Sequence, residues 1–427
     1  MYKGNVTVDG LLKTDYDFPS EYAVAANGAM YSKDKIGILP ELVDVYMAKR
    51  KTAKSTMLKY QSEIEVLKAD KNHSKVEYKR IQNLISKYDN EQMAFKIAMN
   101  SLYGALGNAF FRYYTLENAR AVTLSGQYII INVGEYVTTK LNSMFKVTYP
   151  WVIYQDTDSI YLDLSPIVDK FYSDKDPKDI TTILSKICKE KIDPIINECC
   201  YNLQRYTNVK RDCISFKLEA ISSKGFWTGK KRYALNVFEN EGVVYNEPKL
   251  KIMGLEVVKS STPKVIRDKL KSSVSLILNG TEQDIHQFIA EVKQEFKTYS
   301  VEEIAFPRGV NGMGTYADSQ QIYGFKCPIH TKGSLIYNHF LKELKLQNKY
   351  PMIGEGDNIK YCYLKTPNPI KDEVISFPVD LPVEFNLSKY IDYDKQYEKT
   401  FLDPVNIMLE AVGWSHEKTF SVDDFFS

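Results

Sequence analysis

The sequence has 427 residues, of which 44% are hydrophobic and 26% charged, with a formal net charge of +2. That composition excludes a disordered, collagen-like or coiled-coil chain, and at about 150 residues per domain the length predicts two or three domains. No apolar run, including that near Tyr128 to Val133, approaches the roughly 20 residues of a membrane span, and the N-terminus lacks the apolar core of a secretory signal.

From Glu41 to Tyr103 there is no Gly or Pro, and the stretch is rich in good helix formers. Polar residues at Asp70-Lys71-Asn72-His73-Ser74 suit a turn and a helix N-cap, which predicts an antiparallel helical hairpin. Pro40 is read as its start and Gly104/Gly107 as its end. Between Lys49 and Arg80 ten Lys/Arg face four Asp/Glu, a local excess of +6. Next, the apolar runs Val152-Ile-Tyr154 and Ile160-Tyr-Leu162 flank Gln155 to Ser159, a β-hairpin with a five-residue connection. A strand-rich stretch from about Ile214 to Val258 follows. From Pro263 the pattern is amphipathic helix, then a Pro-rich irregular region around Pro367 to Pro382. The six cysteines (Cys188, Cys199, Cys200, Cys213, Cys327, Cys362) form no C-x-x-C pair, which reads as reduced thiols in a cytosolic setting.

Four constellations carry chemistry. Asp156-Thr157-Asp158 sits at the hairpin tip, where i and i+2 of an extended chain point to one side and two carboxylates invite a hard cation. An Asx-turn is the more common meaning of a bare Asp-Thr-Asp, but Tyr154-Gln-Asp-Thr-Asp-Ser-Ile-Tyr161 is far more specific. Lys96, Asn100 and Tyr103 share one helix face, as do Arg50 and Lys54 on the other helix, and such a pair of basic faces suits a polyphosphate. Solvated basic faces share these spacings. Lys230-Lys231-Arg232-Tyr233 is read as a strand edge from which Lys230 and Arg232 project together, fit for a nucleic-acid backbone, with the Tyr233 ring on sugar or base. A Lys-guarded edge strand is the bland alternative. In the C-terminal Ser421-Val-Asp-Asp-Phe-Phe-Ser427, one helical turn would align Val422, Phe425 and Phe426, either as an anchor for a groove or as a clip onto the protein's own core.

These motifs together resemble the family B DNA polymerases, in the branch of the T-even-type phage replicative enzymes. Lys96-Ile-Ala-Met-Asn100-Ser-Leu-Tyr103-Gly104 is similar to the fingers motif K-x-x-x-N-S-x-Y-G. Tyr154 to Ser159 is similar to the palm motif Y-x-D-T-D-S, and Lys230 to Tyr233 to the K-K-R-Y primer motif. The resemblance implies an α+β right hand: palm at 1–36 and 109–254, helical-hairpin fingers at 37–108, and a mainly helical thumb at 255–427. It further implies that Asp158 and Asp156 serve a site for two Mg²⁺ (or Mn²⁺) ions. Arg50, Lys54, Lys96 and Asn100 would hold the incoming dNTP, with Lys96 as proton donor to pyrophosphate and Tyr103 near the nascent base pair. Lys230, Lys231, Arg232 and Tyr233 would lie along the primer of a primer-template DNA. Glu219, Glu239 and Glu241 match acidic positions of the palm sheet. The tail from Ser421 resembles a sliding-clamp anchor, and a phage enzyme of this kind works in the host cytoplasm.

The family's upstream palm motif D-x-x-S-L-Y-P-S is missing. Asp17-Phe-Pro-Ser20 is tempting, but Lys13 stands where the motif needs Asp. The exonuclease domain is absent as well. The expectation is one half of a split polymerase, completed by a separate N-terminal chain that carries this motif and the 3′–5′ exonuclease. The alternatives are a non-catalytic DNA- and clamp-binding remnant and an excised part of a full-length enzyme.

Overall fold

The computed structural model describes residues 6–69, 74–318 and 320–417. The chain divides into two units, Met1–Ser223 with Val237–Lys249, and Lys224–Asn236 with Leu250–Ser427. The architecture is α+β, as expected.

The first unit begins with α1 (Val8–Lys13) and a small antiparallel hairpin of β1 (Tyr22–Val24) and β2 (Met30–Ser32). Two long helices follow, α2 (Ile38–Ala69) and α3 (Lys75–Leu106). Tyr46 meets Phe95, Arg50 bonds Gln92 and Tyr60 stacks on Tyr88, a register that makes the pair antiparallel. The predicted hairpin therefore exists, with shifted ends. α2 starts two residues before Pro40, which sits in the first turn, where its missing N–H costs nothing. Gly104 stays helical and Gly107 is the C-cap. Ser74 caps α3 by accepting from the Glu77 N–H at 3.4 Å, whereas the expected turn at 70–73 lies outside the described residues.

α4 (Leu116–Phe145) turns Val133, Val137 and Leu141 into the core of this unit, one helical turn apart. They pack with Trp151 and with Ile195, Ile196, Cys199 and Cys200 of α7 (Asp193–Tyr206), which follows α5 (Ser165–Phe171) and α6 (Pro177–Ile187). Trp151 is 1% exposed, and its Nε1–H donates to Asn142 Oδ1 at 2.8 Å. That bond fixes the point at which β3 (Val152–Asp156) leaves the core. β4 (Ser159–Leu162) returns antiparallel to it.

Three further strands, β5 (Ala220–Gly229), β6 (Arg232–Asn240) and β7 (Val243–Met253), are hydrogen-bonded in that order. Two-residue connections join them, which requires antiparallel pairing. The β6–β7 connection, Glu241-Gly242, has φ of 52° and 84°, the two positive values of a type I′ turn.

In the second unit α8 (Lys264–Asn279) and α9 (Glu282–Phe296) bury Ile266, Leu270, Val274, Ile285, Val292 and Phe296 in one core with Phe401 and Val405. A second core lies against an antiparallel sheet in the order Val374–Phe377, Asn358–Tyr363, Phe306–Gly309, covered by the helix Ile329–Glu343. The sequence reading of 255–427 as mainly helical, with an irregular Pro-rich end, misses this sheet. Val374 to Phe377 is buried on both faces, so it lacks the alternation that marks a strand.

Candidate functional site

The Asp156-Thr157-Asp158 hairpin is tighter than expected. β3 runs through Asp156 and β4 resumes at Ser159, so two residues connect the strands, not five. Thr157 has φ 56° and Asp158 donates its N–H to the Asp156 carbonyl at 2.6 Å. The Ser159 hydroxyl donates to the same carbonyl at 3.1 Å, and the Thr157 hydroxyl donates to Asp156 Oδ1 at 2.9 Å. The i, i+2 argument for an extended chain thus fails, because Asp158 lies in the turn. The two carboxylates nonetheless flank one reversed residue. Asp156 is half-buried and Asp158 exposed.

Beneath the strand, Gly134 of α4 lets the helix approach Gln155 closely. A Cβ there would stand 2.1 Å from Gln155 Nε2. That amide donates to the Ile130 carbonyl at 3.2 Å, which sets the residue before Asp156 on the helix.

On α2, Arg50 donates from Nε to Gln92 Oε1 at 3.3 Å, and Gln92 in turn donates to Asp89 at 2.9 Å. Lys54 pairs with Glu241 at the β6–β7 turn, the two side chains 30% and 24% exposed. Further along α2, Glu65 is buried and binds Lys68 at 2.9 Å and Lys249 of β7 at 3.0 Å. Burial opposes its charge, but the hydrogen bonds from Lys68 and Lys249 prevail and hold its carboxyl below the usual range. On α3, Lys96, Asn100 and Tyr103 are exposed. Glu239 is buried and accepts from the Ser185 hydroxyl at 3.2 Å.

Lys230 to Tyr233 lies in the second unit and departs from the sequence reading. Lys230 and Lys231 form the β5–β6 turn, with Lys231 at φ 61°, so side-to-side alternation does not apply. Gly254, at φ 64°, lies against this turn: a Cβ there would be 2.1 Å from the Lys231 carbonyl oxygen. Arg232 donates to both carboxylate oxygens of Glu256 at 3.0 and 2.8 Å. The Tyr233 ring, expected on sugar or base, is only 5% exposed and faces Trp227 at 6.0 Å between ring centres. It is buried because β6 is covered on both faces.

Comparison with known proteins now bears on these motifs. The model of DNA polymerase family B matches residues 7–169. The chain is 34% identical to the DNA-directed DNA polymerase of Escherichia phage RB69 over 96% of its own length and 50% of the relative's. With the DNA-directed DNA polymerase of Enterobacteria phage T4 the values are 31%, 95% and 50%. The chain is thus similar to DNA polymerase family B and, over most of its own length, to DNA-directed DNA polymerases of T-even-type phages. Against the DNA polymerase of Thermococcus gorgonarius identity is 24% over 93% of the chain and 42% of the relative. The chain spans about half the length of the curated relatives it matches.

Among the described residues no group of three or more His, Cys, Asp or Glu gathers as an ion site, so Asp156 and Asp158 offer part of a donor set. No helix among the described residues is long and apolar enough to cross a membrane. Val422, Phe425 and Phe426 lie outside the described residues.

Sequence reasoning passed over the loop between α3 and α4. There Phe110 is 98% exposed, with Tyr113 at 45% and the Arg112 guanidinium 5.7 Å from the Tyr113 ring centre. The signal was available: two aromatic pairs around one Arg, just after a helix C-cap.

Proposed function

We propose that this chain supplies the C-terminal portion of a template-directed DNA polymerase, adding dNTPs to a primer 3′-hydroxyl. In that reading 37–108 acts as fingers, 1–36 and 109–254 as palm, and 255–427 as thumb. Asp156 and Asp158 would hold divalent ions, Mg²⁺ by preference for carboxylate oxygen, together with a carboxylate from outside the chain. Arg50 and Lys54 would take the triphosphate, and Lys96 would give a proton to the departing pyrophosphate. Lys230 and Lys231 would hold the primer backbone, which positions DNA without reading its sequence. The exposed Phe110 with Arg112 suits stacking on an unpaired template base.

One observation carries this reading. A turn carrying a half-buried and an exposed carboxylate and an antiparallel helix pair presenting Arg50, Lys54, Lys96 and Asn100 occur in one unit of a chain similar to DNA-directed DNA polymerases over nearly its whole length. The incomplete acidic set among the described residues supports a second polypeptide, which would carry the upstream palm motif and the exonuclease. The tail from Ser421 would bind a sliding clamp.

The test is primer extension by the chain alone and mixed with a polypeptide matching the N-terminal half of its relatives. Extension only in the mixture supports an active site assembled from two polypeptides. Extension by the chain alone refutes that division. Extension in neither, with DNA and clamp binding intact, assigns the chain to tethering instead.

A further inference from the structure

Lys54 is the α2 lysine assigned above to the triphosphate, yet its ammonium is already engaged by the carboxylate of Glu241. Glu241 is not a loose surface residue. It occupies the first position of the type I′ turn, and its N–H donates to the Glu219 carbonyl at 2.5 Å, so its backbone is fixed. A second tie lies 11 residues further along α2, about 16 Å up the helix. There Asn246 Nδ2 donates to the Glu65 carbonyl oxygen at 2.9 Å, and Lys249 pairs with the Glu65 carboxylate. The helix that carries Arg50 and Lys54 is thus fastened to the β6–β7 hairpin at two polar points.

The two ties differ. At Glu65 a buried carboxylate binds two lysines, a durable arrangement. At Lys54 a single ion pair, partly open to solvent, joins one lysine to one carboxylate. A polyphosphate presents several anionic oxygens and outcompetes one carboxylate for such a lysine.

We propose that Glu241 is a positioning residue that holds Lys54 while no triphosphate is bound and yields it when one arrives. The inference rests on the assignment of α2 to the triphosphate. It implies that part of the nucleotide's binding energy is spent on breaking the Lys54–Glu241 pair. Apparent affinity is lowered by the fraction of molecules in which Lys54 is engaged. Because the pair is partly solvated, that reduction is modest, about three- to fivefold.

The experiment measures dATP dependence of primer extension by the chain with its N-terminal complement. Glu241→Gln, near-isosteric and compatible with the turn, lowers KM by about three- to fivefold with kcat changed less than about twofold. In a Lys54→Met background, where KM is already raised, the same change has no effect, the signature of direct coupling. Glu241→Asp, which keeps the charge on a shorter arm, falls between. An unchanged or raised KM in Glu241→Gln overturns the proposal while leaving the polymerase reading intact. So does an equal shift in both backgrounds. A wild-type mixture that extends no primer overturns the polymerase reading and the Glu241 role with it.

Discussion

The N–H of Asp158 donates to the carbonyl of Asp156 across one intervening residue, at 2.6 Å. That residue, Thr157, is held at φ 56°, a region that costs a β-branched side chain about 1–2 kcal/mol. Its hydroxyl offsets part of this by donating to Asp156 Oδ1. Thr157→Val keeps the strain and loses the bond, and is expected to lower stability by about 1 kcal/mol. Thr157→Gly loses the bond but relieves the strain, and is expected within about 0.5 kcal/mol of the parent once unfolded-chain entropy is included. Urea unfolding curves separate the two, and a Gly variant as damaged as the Val variant contradicts the strain argument.

Asp158 is exposed and Asp156 half-buried, so removing the Asp158 carboxylate leaves the core untouched. Asp158→Ala is expected to cut primer extension in the complemented mixture by at least about a hundredfold. Affinity for primer-template, measured by fluorescence anisotropy, should stay within about twofold, because the phosphate contacts are those proposed for Lys230 and Lys231. Parallel loss of DNA binding and extension would show that the turn is structural.

Gly254 is the point where the chain passes under the Lys230-Lys231 turn. A methyl group at Gly254 would meet the Lys231 carbonyl at 2.1 Å, on a backbone already at φ 64°. Gly254→Ala is therefore expected to lower thermal stability by about 2 kcal/mol or more and to weaken primer-template binding. Lys230→Ala, in contrast, should leave the melting temperature unchanged. It should reduce the slope of log K against log salt by about 1, the loss of one phosphate contact.

Glu65 supplies a pH dependence. Its carboxyl lies below the ordinary 4.5: burial pushes it up, and the hydrogen bonds from Lys68 and Lys249 push it further down. A depressed carboxyl contributes stability that is present in full above the unfolded value and is lost as pH falls through the folded one. The loss should therefore come below about pH 4.5. Urea midpoints recorded from pH 7 to pH 3 should fall less steeply at the acid end in Glu65→Gln. Identical acid limbs would exclude the pairing as a source of stability.

Several features were legible without coordinates because they are set locally. The stretch from Glu41 to Tyr103 gives long helices on either side of residues 70–73, since it holds no Gly or Pro to interrupt i to i−4 bonding within them. Ser74 caps through its own hydroxyl and the N–H three residues on. The order of the motifs around Lys96, Asp156 and Lys230 carried the family resemblance, since it lies in the residues themselves.

What the sequence by itself determined is therefore the local chemistry: basic helix faces, paired carboxylates on a reversing chain and the branch of polymerases they resemble. Tertiary structure alone decided which partner each charge takes. Lys54 and Glu241 are 187 positions apart, and Lys249 and Glu65 are 184 apart, so no periodicity links them. Tyr233 reads like a surface residue after three basic ones, yet burial of β6 on both faces draws its ring inside. The turn at Thr157 is two residues long because the ladder from Asp156 to Ser159 closes at the expense of a strained φ. Only packing that over-determines a residue can hold it in such a conformation, and here α4 and the anchored Trp151 fix the strand that leads to it.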